Sequence, residues 1–120
     1  MELTLPLPPN RGNARWHWRT ENKLKHEYYD LCLFSVRVRR PLSMPERMRI
    51  TAKLFTWSQM DTDNLMARLK WPVDFLQKRG YIRSDSPDFL EWDMPTQAID
   101  RKNQRIEVEL LELTDYDEAA

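Results

Sequence analysis

One stretch constrains the fold of this chain more than any other: an alternating segment from Arg47 to Trp57, followed by a helical one that Gly80 ends. Met48, Ile50, Ala52 and Leu54 alternate with Arg47, Arg49, Thr51 and Lys53, the period-two pattern of a strand with one buried and one basic face. From about Asp63 to Arg79 the period lengthens. Leu65, Leu69, Val73 and Leu76 make an apolar stripe at helical spacing, with a kink expected at Pro72 and basic Lys78 and Arg79 in the last turn. A half-buried strand and a one-sided helix must cover each other, so the minimum solution is a helix layer on a sheet.

The flanking segments extend this layer. Leu3, Leu5 and Leu7 alternate in a short first strand over Glu2 to Leu7, limited by Pro6, Pro8 and Pro9. Asn10 to Arg19 reads as an irregular extended segment, and Thr20 offers an N-cap for a first helix carrying Leu24, Tyr28, Leu31 and Cys32, closed by Pro41 and Pro45. Phe89 to Asp93 is a weaker strand, and Ile106, Val108 and Leu110 mark the last one. The expected fold is α+β, a mixed β-sheet with two helices packed on it, in the order β-α-β-α-β-β. At 120 residues there is room for one core, so residues 1–120 are read as a single domain whose residues 115 to 120 form a short acidic tail.

Composition narrows the class. The lone cysteine, Cys32, has no partner for an intramolecular disulfide and sits in an apolar stretch, as a buried free thiol would. No stretch has the length and apolarity of a membrane span, and the N-terminus lacks a basic and apolar leader, so a cytoplasmic protein with no membrane partner is expected. The formal net charge is zero, yet residues 1–60 carry net +6 and residues 61–120 net −6. That asymmetry permits a basic surface beside an acidic pocket, and equally permits the halves to neutralise each other across one surface.

The chemistry-bearing residues cluster where strand gives way to helix. Asp61 and Asp63 flank Thr62 and are followed by Asn64; if the chain is still extended there, residues two apart project to one side and both carboxylates face a common point. Asp85, in the turn Ser84-Asp85-Ser86-Pro87, is a third carboxylate that a returning chain could deliver to them. Magnesium takes hard oxygen ligands and keeps waters, leaving room for phosphate oxygens. Read alone, the same residues serve as well for a helix N-cap and a turn, and those roles come first on local preference.

The pattern Asp61-Thr62-Asp63-Asn64-Leu65, then Leu69-Lys70, Asp74 and Leu76, then Gly80 and Ser84-Asp85, resembles the signature of the RusA family of Holliday junction resolvases, and the match extends over nearly the whole chain. The resemblance implies a RusA-like fold and a homodimeric, Mg2+-dependent (or Mn2+-dependent) endodeoxyribonuclease that resolves four-way junctions by symmetric cleavage, acting in DNA recombination and repair. It assigns the metal to Asp61, Asp63 and Asp85, support of the site to Asn64, and the essential lysine role to Lys70. Many members place that lysine four residues after the second aspartate, where this chain has Ala67; Lys70 stands seven after it but keeps its offset of four to Asp74, and Arg68 is the competing candidate. Met60 stands where several members have a basic residue.

Arg11, Arg15, Trp16, His17, Trp18 and Arg19 interleave basic and aromatic residues, suited to phosphates and to unpaired bases, or else to burial of Trp16 and Trp18 together. Trp57, Trp71 and Trp92 are expected in the core or a dimer interface, and His17 and His26 lack the companions a zinc site requires. The expected DNA contacts are therefore Arg11, Arg15, Trp16, Trp18, Arg19, Asn64 and Arg68. The competing expectation is a non-catalytic DNA-binding or replication-associated module retaining the resolvase fold.

Overall fold

The alternating segment becomes the strand that every other strand is built around. In a computed structural model, which describes residues 1–9, 17–43 and 46–113, β2 (Met48–Thr56) buries Met48, Ile50, Ala52, Leu54 and Thr56 and turns the intervening residues outward. β5 (Arg105–Glu112) lies antiparallel along its whole length, from Met48 opposite Glu112 to Phe55 opposite Arg105. β1 (Glu2–Leu5) pairs antiparallel with the far side of β5, its expected extension to Leu7 stopped at Pro6, which has no N–H for a ladder.

The other edge of β2 is shared by two short strands in tandem, both parallel to it. β3 (Leu90–Trp92) pairs with Met48 to Ile50, and β4 (Thr96–Ile99) with Lys53 to Thr56. The architecture is thus α+β with a mixed five-stranded sheet, and β4 is an element that sequence periodicity does not announce.

The helices supply the second layer. α1 (Trp18–Ser35) buries Tyr28, Tyr29 and Cys32, whereas Leu31, expected inside, is 55% exposed. It starts two residues before Thr20, because the His17 ring Nδ1 accepts a hydrogen bond from Arg19 N–H at 3.2 Å and acts as the cap. The expected second helix is two: α2 (Thr62–Arg68) and α3 (Lys70–Lys78), joined at Leu69. Pro72 explains the join. It cannot donate to the Arg68 carbonyl, and a break at Leu69 moves it into the first turn of α3, where no N–H is required.

Gly80 ends α3 as expected. Its φ is +83°, the Tyr81 N–H reaches back to the Leu76 carbonyl at 2.9 Å, and the Gly80 N–H reaches Gln77 at 3.2 Å, the paired bonds of a Schellman cap. α1 and α3 pack through Tyr28 on Trp71 and Tyr29 on Phe75, with ring centroids 6.1 and 6.2 Å apart. Beneath them lies one continuous core that includes Leu5, Leu54, Leu69, Leu76 and Ile106, each fully shielded; each such burial contributes about 1.5–3 kcal/mol. Cys32 is buried and free, and burial pushes its thiol pKa up to about 11. Among the described residues no helix is long and apolar enough to cross a membrane.

The outward face of β2 is less basic in effect than its residues suggest. Arg49 pairs with Glu91 on β3 at 3.1 Å, Arg47 approaches the same carboxylate at 4.0 Å, and Lys53 stands opposite Glu107 in register. On this face the two halves of the chain neutralise each other.

Candidate nucleic-acid interface

β2 and β4 run parallel and finish side by side, Thr56 opposite Ile99, and the Asp100 N–H continues the pairing to the Thr56 carbonyl at 2.9 Å. The carboxyl ends of parallel strands are where open α/β sheets collect ligand-binding groups. Two loops leave this point together. From β2 comes Trp57, 58% exposed; from β4 comes Arg101, whose Nε donates to the Trp57 carbonyl at 3.1 Å and whose guanidinium lies 5.3 Å from the centre of its ring. The stack holds one indole in a fixed pose on the surface. Local composition points Trp57 toward the core, but the sheet ends one residue earlier and leaves it in solvent.

Three residues on, Gln97 fastens the β2 loop to β4 in both directions: its Nε2 donates to the Met60 carbonyl at 2.6 Å, and its Oε1 accepts from the Met60 N–H at 2.9 Å. This clamp fixes the entry to α2. Asp61 then caps that helix, with Oδ1 accepting the Asn64 N–H at 3.0 Å. Asp61, Asp63 and Asn64 are all exposed. Because Asp63 already belongs to α2, the extended-chain alternation that would aim both carboxylates at one point does not apply; residues two apart on a helix do not share a face.

Asp85 is placed elsewhere. The turn that holds it is closed by Ser86 N–H on Ser84 Oγ at 3.1 Å and by Phe89 and Leu90 N–H on the Ser86 carbonyl, each at 2.9 Å. That turn delivers the chain to Leu90 opposite Met48, at the start of β2, whereas Asp61 follows the end of β2. Met48 to Thr56 spans about 26 Å at the usual strand rise. Among the described residues no group of three or more His, Cys, Asp or Glu could hold a metal ion. As arranged in one chain, then, Asp61, Asp63 and Asp85 do not make a three-carboxylate metal centre.

Lys70 opens α3 and is exposed. Asp74, four residues on, is paired with Lys25 of α1 at 3.3 Å, so it serves the contact between helices. Arg68 is held differently: Nη2 donates to the Pro8 carbonyl at 2.8 Å and Nη1 to the Met60 sulfur at 3.6 Å, and burial lowers the pKa of its guanidinium. With the Tyr28 hydroxyl on the Pro6 carbonyl at 2.7 Å, it anchors the segment after β1. Arg68 is therefore a structural tie, and Lys70 is the freer of the two candidates for a phosphate.

Trp18 is 65% exposed at the start of α1, with Arg19 5.3 Å from its ring centre and the His17 ring 5.7 Å away. Tyr28 packs on Trp71 near the start of α3, and the Val38 carbonyl just past α1 accepts from Tyr81 just past α3, so the two helices run in the same direction. Arg11, Arg15 and Trp16 lie outside the described residues. The Trp57–Arg101 stack is what sequence reading misses; the one signal for it is an aromatic just past the last alternating residue of β2. Compared with known protein families, curated proteins and solved structures, the chain has no match in any of the three.

Proposed function

We propose that this chain is a structure-selective endonuclease acting on branched DNA, a Holliday junction resolvase of the RusA type that works as a homodimer. The observation that carries the reading is the convergence of Trp57 with Arg101, Asp61 and Asp63 at the joint end of β2 and β4, beside the motif that resembles the RusA signature. Exposed Trp57 and Trp18 offer ring faces to bases left unpaired at a branch point, Arg101, Arg19 and Lys70 offer charge to the backbone, and the Asp63 carboxylate is available to accept a proton from an attacking water. A homodimer supplies two such surfaces for paired cuts on opposing strands.

The test is incubation of the full chain with a synthetic four-way junction in Mg2+, in Mn2+ and in EDTA. Symmetric nicks that need a divalent cation support the proposal; an intact junction beside an active control resolvase overturns it. A second reading, a DNA-binding module without catalysis, is favoured by one observation, the use of Asp61 as a helix cap. It expects salt-sensitive junction binding that is indifferent to EDTA and yields no product.

A further inference from the structure

The far end of α1 and α3 carries a second surface that DNA cleavage does not use. The end of α1, the segment after it and the end of α3 enclose a groove of about 460 Å3, within the usual range for ligand pockets. Its lining joins apolar Leu33, Val36 and Phe75, here called the floor, to a segment and a helix end that carry Arg37, Arg39, Arg40 and Arg79, here called the rim. The Tyr81 hydroxyl donates to the Val38 carbonyl and so fastens the arginine-bearing segment to the end of α3. Burial raises the pKa of that phenol while Arg79 and Arg40 pull it back, which places both guanidinia in its surroundings. No acidic residue lines the groove, and among the described residues these four arginines form no ion pair.

Four unpaired guanidinia call for an anionic occupant, and the apolar floor calls for an apolar group on the same ligand. A DNA duplex could lay phosphates along these arginines but has nothing apolar to set on the floor. Within the groove a single strand gains little, because the lining rings, Phe75 and Tyr81, are only 2% and 6% exposed, and the exposed Phe34 ring lies outside the lining. A second copy docked with the groove on the two-fold axis is disfavoured as well, because it would bring eight arginines together.

We propose that the groove docks an acidic peptide segment of a partner protein, its carboxylates on the arginine rim and an apolar side chain against Leu33 and Val36. The surface lies apart from Asp61 and Trp57, so the proposal stands whether or not the chain cuts DNA. Leu42, fully exposed beside the rim, and Phe34, 85% exposed on the last turn of α1, extend the apolar surface for a longer partner.

Fluorescence anisotropy of a labelled decapeptide of aspartate and glutamate carrying two leucines tests this on the full chain. Saturable binding that weakens with salt is expected, and the double variant Arg39→Glu with Arg40→Glu, or the single Leu33→Asp, should each weaken it about tenfold or more. These side chains are exposed, and unchanged thermal melting of both variants is expected. An all-acidic peptide without leucine should bind at least about fivefold more weakly. The proposal is overturned if no saturable binding appears, or if a DNA oligonucleotide single strand displaces the peptide at equal concentration and loses affinity equally in both variants. It is also overturned if deleting residues 114–120 raises peptide affinity about tenfold, which would make the chain's own acidic end the occupant.

Discussion

The two ends of β2 are built from similar materials and come out opposite in character. At its carboxyl end, Trp57, Asp61 and Asp63 stand exposed on loops and a helix start that Gln97 and Arg101 hold rigidly against β4. At its amino end, Asp85 sits in a turn of its own and the neighbouring surface is an arginine-rimmed groove with an apolar floor. One end thus offers carboxylates and a ring face, the other a cationic pocket. A single strand carries both because the helix layer runs back along it, separating the start of α2 from the end of α3 by about 25 Å of helix.

The difference can be broken experimentally at either end. The largest expected effect is on Asp63: Asp63→Asn should lower single-turnover cleavage of a four-way junction on the order of 100-fold while leaving junction binding intact, as loss of a group acting in the transition state does. Wild-type cleavage by this variant would remove the carboxyl end from the mechanism. Next comes Trp57→Ala, for which gel-shift titration should show junction binding weakened by roughly 1–3 kcal/mol, the worth of one stacked base. Unaltered affinity would mean that the Trp57–Arg101 stack serves only the fold.

A smaller effect separates the two aspartates at the start of α2. Asp61→Ala removes the cap of α2 and should lower stability in urea by about 1 kcal/mol, with the Asp61→Asn variant avoiding most of that loss because asparagine also caps. Equal stability of Asp61→Ala and wild type would show that the cap contributes nothing. The smallest effect is expected at the amino end: Asp85→Asn should cleave within about twofold of wild type, since its turn is closed by Ser84 and Ser86 and not by its carboxylate. A loss as deep as that of Asp63→Asn would place Asp85 in the site after all, through a contact between two copies of the chain.

Much of the fold was legible because its signals are local. Alternation in β2, the stripe from Leu65 to Leu76 and the stop at Gly80 appear in the structure where the sequence puts them, each depending on residues a few positions apart. Less was legible around the candidate site. Thr96 to Ile99 carries no clear alternation and becomes β4 through pairing with a strand some forty residues away. Trp57, expected in the core or a dimer interface, is exposed in the single chain, and Arg68 reads as a phosphate ligand and proves to be a tie to Pro8.

By itself the sequence determined where β2, β5 and the helical stretch after Asp61 lie, which face of β2 is buried, and that Asp61 stands where a helix needs a cap. Those properties follow from side-chain periodicity and from backbone groups that must be satisfied within a turn or two. The tertiary structure alone decided that Asp61 and Asp85 belong to different ends of β2, that Arg49 is neutralised by Glu91, and that four arginines from two helix ends share one groove. Such outcomes depend on how distant segments pair and cross, and no local pattern carries that information.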